Sequence, residues 1–232
     1  MSKTKSPRWT LPQTGGRLDY RYTQLNEAKK TQRQYSALRS EILWHPSALA
    51  RWGWYRSNPL ALCNSIGAPL PWLCYPAIAW LEKQIKPNWH VAEWGSGSSS
   101  LWWATRVARL ECCEHDQTWY QHSLARARPN MQVHYHMVKS EDYLNFVRNL
   151  KGPFDAIIID GKRRVACTKR AIEALKPNGL LIFDDAQKVR FFQAWRWLEK
   201  RNFKRLDFWG PKALQPYAGK TSIFSKKNLR LC

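Results

Sequence analysis

The sequence of 232 residues contains no long apolar run and no apolar segment near its first residue. A helix that spans a bilayer needs about 20 consecutive apolar residues, and no stretch reaches that length. The opening Met1-Ser2-Lys3-Thr4-Lys5 lacks the apolar core of a secretory signal. The sequence therefore predicts a soluble, cytoplasmic protein without a transmembrane segment.

Cysteine pairs of the kind that bind zinc are also missing. The chain has six cysteines, with no Cys-x-x-Cys pair and no histidine at zinc-finger spacing: Cys63, Cys74, Cys112, Cys113, Cys167 and Cys232. An intracellular chain of this kind keeps its thiols reduced. We therefore expect these cysteines to serve mostly as small core residues.

Acidic residues are scarce. The chain contains 17 Asp and Glu and 38 Lys and Arg, which gives a net charge of +21. Such a balance is typical of proteins that bind nucleic acid, an anionic membrane or an acidic polymer. The excess is divided between +8 in residues 1–56 and +13 in residues 57–232. A spread of this kind also fits a solvated surface, so the charge alone leaves the partner open.

The chain divides into three parts by composition. Residues 1–43 are polar and basic, and they predict a partly disordered extension with a helix over Tyr22 to Leu43. Residues 44–88 are aromatic and rich in turn residues, and they predict an irregular cap that ends in a helix over Pro71 to Ile85. Residues 89–232 alternate between strand and helix patterns and predict the main domain.

The alternation predicts an α/β domain with a doubly wound, mostly parallel sheet of seven strands. The predicted strands are Trp89–Trp94, Arg109–Glu114, Gln132–Val138, Phe154–Asp160 and Leu180–Asp184, followed by an antiparallel pair, Lys204–Trp209 and Thr221–Ser225. The predicted helices are Ser99–Val107, Gln117–Arg126, Glu141–Leu150, Val165–Leu175 and Lys188–Arg201. In such sheets a ligand lies at the carboxyl ends of the strands, near the switch between the first and fourth strands.

A glycine turn follows the first predicted strand, in Val91-Ala92-Glu93-Trp94-Gly95-Ser96-Gly97-Ser98-Ser99-Ser100-Leu101. Glycine tolerates unusual backbone angles and lets a ligand lie against the chain. The serines that follow can cap a helix and donate hydrogen bonds. This pattern is typical of nucleotide-like ligands, and Glu93 would reach a hydroxyl or amine of such a ligand.

Eight acidic residues fall at or just after the carboxyl ends of predicted strands: Glu93, Glu114, Asp116, Glu141, Asp142, Asp160, Asp184 and Asp185. Asp116, Glu141 and Asp185 equally fit helix caps or first-turn acids. Together the eight predict an acidic pocket in a basic protein. Such a pocket suits a ligand with a ribose diol, an adenine amine and a positive charge.

These residues resemble the class I S-adenosylmethionine-dependent methyltransferases, from about Pro71 to Phe224. The Glu93-x-Gly95-x-Gly97 turn is similar to the family's first motif, although Ser99 stands where the family has a third glycine. Glu114 matches the acid that binds both ribose hydroxyls. The resemblance implies a Rossmann-like fold and a cofactor site formed by Glu93, Gly95, Ser96, Gly97, Ser99, Glu114, His115, Asp142 near the adenine amine, and Asp160 beside the methyl donor.

Within the family, Asp160, Asp184 and Asp185 look like the Mg²⁺ ligands of catechol-type O-methyltransferases. That subfamily has asparagine at the position of Asp185 and a general-base lysine at the position of Arg163. A rival interpretation is that Asp184 and Asp185 cap the next helix and bind substrate directly. Arg163 and Arg164 would then clamp an anionic acceptor.

An oxygen acceptor is favoured, because the chain lacks after Asp160 the Asn-Pro-Pro-aromatic loop of enzymes that methylate amino groups of bases. The proton would pass to Asp160 or to Lys162. The aromatic residues nearest to the site by sequence are Tyr75, Trp72 and Trp94, and their rings would favour the sulfonium charge. For Trp94, core packing is the favoured interpretation.

Three functions remain open at this point. The first is methylation of an oxygen on a small molecule or glycan. The second is RNA methylation, which the net charge and the interleaved Arg and Trp of residues 51–56 and 195–197 would favour. The third is a non-catalytic or aminopropyl-transferring relative, which the basic Lys162-Arg163-Arg164 run opposes.

Overall fold

The computed structural model describes residues 46–215 and 217–229, so the predictions for residues 1–43 lie outside the described chain. The helices are α1 (Pro46–Arg51), α2 (Tyr75–Gln84), α3 (Ser98–Ala104), α4 (Gln117–Leu124), α5 (Glu141–Asn149), α6 (Arg164–Ala174) and α7 (Phe192–Glu199), with a 3₁₀ turn over Val189–Phe191. The strands are β1 (His90–Trp94), β2 (Arg109–Glu114), β3 (Met131–Tyr135), β4 (Phe154–Ile159), β5 (Leu175–Phe183), β6 (Lys204–Gly210) and β7 (Gly219–Ser225).

The seven strands form one sheet in the order β3-β2-β1-β4-β5-β7-β6. Strands β1 to β5 are parallel, and β7 lies between β5 and β6 and is antiparallel to both. The predicted doubly wound, mostly parallel seven-stranded sheet is confirmed. Strand order reverses between β1 and β4, which opens a crevice at the carboxyl edge of the sheet.

Alternate residues of the strands pack on opposite faces of the sheet. In β4, Ala156 and Ile158 join the cluster that contains α2 and α3, while Ile157 and Ile159 join the cluster that contains α5, α6 and α7. Because both faces are covered, the strand is apolar from Ala156 to Ile159. The run of isoleucines thus holds the end of β4 rigidly beside the crevice.

Several element boundaries differ from the predictions. Helix α7 starts at Phe192 rather than Lys188, after the 3₁₀ turn, and strand β3 ends at Tyr135 rather than Val138. Helix α2 starts at Tyr75 rather than Pro71, with Pro76 in its first turn, where proline is tolerated because its missing N–H has no partner anyway. Strand β5 starts at Leu175 rather than Leu180. Leu175 pairs with Phe154 and Leu180 with Ala156, so residues 177–179, whose Pro-Asn-Gly sequence is typical of a turn, form a bulge within the strand.

Residues 46–74 are anchored to the connection between β6 and β7, which lies at the carboxyl edge of the sheet. The indole nitrogen of Trp54 donates to the carbonyl of Lys212 at 3.1 Å, and that of Trp72 donates to the carbonyl of Ala213 at 2.8 Å. The ring of Trp52 stacks on Tyr75 with 5.1 Å between centroids. These contacts place the segment over one end of the crevice.

The five described cysteines are free thiols, and Cys74, Cys112, Cys113 and Cys167 are fully buried, in agreement with the prediction. Among the described residues, no helix is both long enough and apolar enough to cross a membrane.

Candidate functional site

A cavity of about 1230 Å³ lies at the carboxyl ends of β1, β2 and β4. Typical small-molecule pockets measure roughly 300–1,000 Å³, so this cavity has room for two molecules side by side. Its lining comprises Pro59, Leu62, Trp72, Glu93, Gly95, Ser96, Gly97, Ser98, Ser99, Glu114, His115, Asp116, Thr118, Trp119, Asp160, Gly161, Lys162, Arg163, Arg164, Val165, Ala166, Lys188, Arg190 and Phe191.

The glycine turn forms the floor of the cavity between β1 and α3. Gly95 has φ 94° and Gly97 has φ 153°, which side-chain-bearing residues rarely adopt. The N–H of Gly95 donates to the carbonyl of Cys113 at 2.8 Å, and the N–H of Gly97 donates to Ser100 Oγ at 3.1 Å. The turn is therefore fixed to the end of β2 and to the first turn of α3.

Glu93, near the carboxyl end of β1, is buried beneath the first turn of α3. Its carboxylate accepts hydrogen bonds from Ser99 Oγ at 2.5 Å and Ser100 Oγ at 2.6 Å. Burial raises the pKa of Glu93 to about 8, against the opposing effect of the two serine hydroxyls. A positively charged ligand in the cavity would favour the ionised form.

Replacing Glu93 by glutamine should stabilise the ligand-free protein more in alkaline than in acidic solution. The raised pKa means that folding loses stability as the pH rises from about 4.5 to about 8, while an amide never ionises. We expect the gain in Tm at pH 9 to exceed that at pH 5 by roughly 5 °C or more. Thermal unfolding at both pH values measures this, with the exposed Glu141→Gln as control. Equal gains at the two pH values would contradict it.

Glu114, the last residue of β2, is held by backbone donors. Its Oε2 accepts from the N–H of Ser96 at 3.0 Å, and its Oε1 accepts from the N–H of His115 at 2.7 Å and of Asp116 at 3.0 Å. The imidazole Nδ1 of His115 lies 2.8 Å from the same Oε1. The three backbone donors fix the Glu114 carboxylate beside the glycine turn.

Trp119 is a wall residue that the sequence reasoning did not identify. Asp116 caps α4 by accepting from the N–H of Trp119 at 2.8 Å, and the Trp119 indole donates to the carbonyl of Ser96 at 2.6 Å. The indole lies against Gly97, where a β-carbon would come within 3.5 Å of it. The sequence offered Asp116 as a possible helix cap, and that prediction alone placed the first turn of α4 near the site.

Asp160 follows β4 on the opposite side of the glycine turn. Its Oδ1 accepts from Arg164 Nη2 at 2.7 Å, and 26% of its side chain is exposed, through the cavity. Burial raises the pKa of Asp160 to about 7, although the Arg164 guanidinium opposes the shift. Arg164 also donates to the carbonyls of Gly161 and Asp184, so its guanidinium links Asp160 to the loop after β4 and to the end of β5.

The loop after Asp160 is held by Tyr143, another residue that sequence reasoning missed. The phenol oxygen accepts from the N–H of Lys162 at 2.8 Å and donates to its carbonyl at 3.2 Å. A β-carbon at Gly161 would lie 2.4 Å from that oxygen. Gly161 thus permits a close approach that fixes Asp160 and its neighbours.

Asp184 and Asp185 lie behind Asp160 and Arg164 and are neutralised by the buried Lys212 and by the partly exposed Lys188. Lys212, 2% exposed, donates to Asp184 Oδ2 at 2.6 Å and to Asp185 Oδ1 at 3.3 Å, while Thr221 Oγ1 donates to Asp184 Oδ1 at 2.9 Å. Lys188 pairs with Asp185 Oδ2. Both carboxylate oxygens of each residue are therefore in use.

The expectation that Asp160, Asp184 and Asp185 hold Mg²⁺ is not supported by this geometry. Arg164 already pairs with Asp160 and Lys212 with Asp184, and no group of three or more Asp, Glu, His or Cys in the described chain could hold a metal ion. The rival interpretation, in which Asp185 contacts substrate, is equally unsupported because Asp185 does not line the cavity.

Two other predicted site residues lie away from the cavity lining. Tyr75 is packed in the core against Trp52, 3% exposed, although its neighbour Trp72 does line the cavity. Asp142 is exposed in the first turn of α5. The other predicted cofactor residues meet at the cavity as expected: Glu93, Gly95, Ser96, Gly97, Ser99, Glu114, His115 and Asp160, together with Lys162, Arg163 and Arg164.

Comparison with known proteins adds a family match and a set of similar folds. Residues 92–186 match the model of a family described as a methyltransferase domain. No curated protein matches the chain. The interval 92–186 spans β1 to the end of β5 and contains Glu93, Glu114 and Asp160.

Solved structures with a similar fold include three methyltransferases. An rRNA methylase from Streptococcus thermophilus is 10% identical, with TM-score 0.53 over 66% of this chain and 96% of that one. An O-methyltransferase from Bacillus cereus in complex with SAH is 17% identical, with TM-score 0.52 over 64% and 79%. A putative O-methyltransferase from Klebsiella pneumoniae is 18% identical, with TM-score 0.50 over 65% and 78%.

Proposed function

We propose that this protein is a class I methyltransferase that transfers a methyl group from S-adenosylmethionine to an oxygen of a small molecule or glycan. The doubly wound sheet and the match of residues 92–186 to a methyltransferase-domain model support the proposal. The observation that carries the proposal is the division of one cavity. Glu93 and Glu114 stand beside the glycine turn, and Asp160 stands across from them. Glu93, Glu114 and the glycine turn suit a nucleoside. Asp160 suits a hydroxyl that must lose a proton.

The cofactor half of the cavity fits S-adenosylmethionine, which when bound supplies a methyl group on a sulfonium. Glu114 is held in place by backbone N–H groups and can accept two hydroxyl hydrogen bonds side by side. The turn at Gly95 and Gly97 lets a ligand lie against the backbone. Trp119 supplies an aromatic wall next to that turn, where a purine could pack.

Asp160 is the residue that we assign to proton removal. Arg164 occupies its Oδ1, which leaves Oδ2 for the acceptor hydroxyl. A base works best when its pKa is near the working pH, and the Asp160 pKa of about 7 meets that condition. The Arg164 and Tyr143 contacts hold the carboxylate still, which supports the in-line alignment of the reacting atoms.

An RNA acceptor is the second candidate, favoured by a specific surface feature. The outer side of α7 carries arginines stacked on aromatic rings, with Arg201 at 3.8 Å from the Trp197 centroid and Arg196 at 5.5 Å from that of Phe192. Such pairs can bind single-stranded nucleic acid by stacking and charge. This candidate predicts binding that weakens steeply with salt.

The proposal is tested by transfer of a radiolabelled methyl group. Purified protein is incubated with methyl-labelled S-adenosylmethionine and panels of hydroxylated metabolites, sugars and total RNA. We expect label in a hydroxylated small molecule or sugar, in an alkali-stable ether or an oxygen ester. Label confined to RNA would establish the second candidate, and a protein that binds no S-adenosylmethionine would overturn both.

Excess EDTA should change the rate of this methyl transfer by less than about twofold. The carboxylates that a divalent ion would need are already paired with Lys212, Lys188 and Arg164. Rates with EDTA and with added Mg²⁺ measure the effect. A rate that EDTA abolishes and Mg²⁺ restores would show that these ion pairs open to admit a metal.

A further inference from the structure

Three basic side chains on the rim of the cavity have no acidic partner in the described part of the chain. Lys162 and Arg163 follow Asp160, and Arg190 lies in the 3₁₀ turn before α7. All three are exposed. Their distances to every carboxylate among residues 46–215 and 217–229 exceed 4.0 Å. They therefore add positive charge that the protein itself does not neutralise.

The acids near this rim cannot supply the missing partners, because other cations already hold them. Asp160 pairs with Arg164 at 2.7 Å, and Asp184 pairs with Lys212 at 2.6 Å. Asp185 pairs with Lys188 and Lys212. The remaining acids of the lining, Glu93, Glu114 and Asp116, lie on the cofactor side at the ends of β1 and β2.

The position of these cations is unfavourable for folding. Lys162, Arg163 and Arg164 stand at the start of α6, and the first turn of that helix contains no acidic residue. Positive charge at this end opposes the helix dipole. Arg163 also has φ 50°, a left-handed backbone that is strained for a residue with a side chain. Such arrangements persist mainly where function requires them.

The positive charge of the described chain is highest in the stretch that contains these three side chains. Residues 162–205 contain 13 Lys and Arg against 4 Asp and Glu, whereas residues 46–161 contain 11 against 9. A cleft lined by one sign of charge concentrates ions of the opposite sign. Lys162, Arg163 and Arg190 are the members of this basic stretch that line the cavity without an acidic partner among the described residues.

The two arginines are oriented for anion binding. Arg163 uses Nη1 to donate to the carbonyl of Val138 at 3.1 Å, which steadies the guanidinium and leaves further N–H groups available. The Arg190 guanidinium lies 4.9 Å from the centroid of the Phe191 ring, and Phe191 itself lines the cavity. Guanidinium groups bind phosphate, sulfate and carboxylate through paired hydrogen bonds.

We propose that the methyl acceptor carries an anionic group, a phosphate, sulfate or carboxylate, which Lys162, Arg163 and Arg190 bind while its hydroxyl faces Asp160. This inference rests on the proposed function and specifies its substrate class. Arg164, which the sequence suggested as part of such a clamp, instead holds Asp160. The anion-binding set is therefore Lys162, Arg163 and Arg190.

The first test measures anion binding by protein saturated with S-adenosylhomocysteine (SAH). Sodium chloride is adjusted so that the ionic strength stays constant during the titration. Inorganic phosphate and sulfate are titrated while thermal stability and binding heat are followed. We expect saturable binding that weakens about tenfold or more in Arg163→Gln/Arg190→Gln. Lys169→Gln/Lys204→Gln removes the same two charges outside the cavity lining and should leave phosphate affinity unchanged. No saturable binding, or an equal loss in the Lys169→Gln/Lys204→Gln variant, would overturn the proposal.

The second test compares acceptors that differ only in the anionic group, such as glucose 6-phosphate and glucuronate against glucose. We expect kcat/KM to favour the anionic member by at least tenfold, and the Arg163→Gln/Arg190→Gln variant to lose that preference mainly through KM. Neutral acceptors used equally well would overturn the proposal, as would RNA binding that Arg196→Gln and Arg190→Gln weaken alike. SAH binding, measured in parallel, separates the two failures, since its loss alone would refute the proposed function.

Discussion

Replacement of Asp160 by asparagine is expected to lower kcat by roughly 10²- to 10⁴-fold, the usual contribution of a positioned general base. The amide keeps the size of the side chain but cannot take a proton from the acceptor. In the wild type, kcat/KM should rise with pH and level off above an apparent pKa near 7, the value to which burial raises that of Asp160 in the free protein. The variant should lose this dependence.

Asp142→Asn is the matched control for this variant. Asp142 is exposed on α5 and does not line the cavity, so its replacement should change kcat by less than about twofold. SAH binding by Asp160→Asn should persist, because Glu93, Glu114 and the glycine turn are unaltered. A variant that keeps both its kcat and its pH profile would show that Asp160 is not the base.

Replacement of Lys212 by methionine is expected to destabilise the protein by about 3–5 kcal/mol, the usual cost of leaving a buried charge without its partner. Lys212 is 2% exposed, and its ammonium bridges Asp184 and Asp185. The adjacent carboxylates raise the pKa of Lys212 against the opposing effect of burial, so the Lys212 ammonium is charged in the folded state. Thermal unfolding should show Tm lowered by roughly 6–20 °C.

Two further variants separate charge from packing in this prediction. Lys212→Met/Asp184→Asn removes one of the orphaned charges and should recover part of the lost stability. Lys176→Met breaks the pair between Lys176 and Asp155, where the lysine side chain is 42% exposed, and should cost less than about 1 kcal/mol. A Lys212→Met protein as stable as wild type would mean that Asp184 and Asp185 do not depend on this cation.

The cofactor side of the cavity could be predicted from the sequence because its signals are local. The glycines that require unusual φ, the serines after them and the acids at the ends of β1 and β2 all lie close to the strands that position them. Parallel strands bring their carboxyl ends to one edge, so Glu93 and Glu114 had to meet. Asp142 does not line the cavity, because the five residues of the loop 136–140 separate the end of β3 from the helix that carries it.

The acceptor side could not be predicted because its contacts join distant parts of the chain. Lys212 lies 28 residues after Asp184, and nothing in the local sequence pattern identifies it. Its ammonium nevertheless pairs with Asp184 and Asp185 and so determines the state of both carboxylates. Tyr143 reads as an ordinary apolar position of α5, but its phenol fixes the loop at Lys162. The partners of Arg164 and Arg190 likewise depend on how α6 and the 3₁₀ turn pack.

Calorimetric titration with SAH tests the central claim most directly, because the account requires a nucleoside site formed by the glycine turn and by the acids of β1 and β2. We predict saturable one-to-one binding that Glu114→Gln weakens by at least tenfold, since the amide cannot accept two ribose hydrogen bonds side by side, while Glu141→Gln leaves it unchanged. Folded protein that gives no heat of binding, or a Glu114→Gln variant that binds SAH as tightly as wild type, would contradict the account.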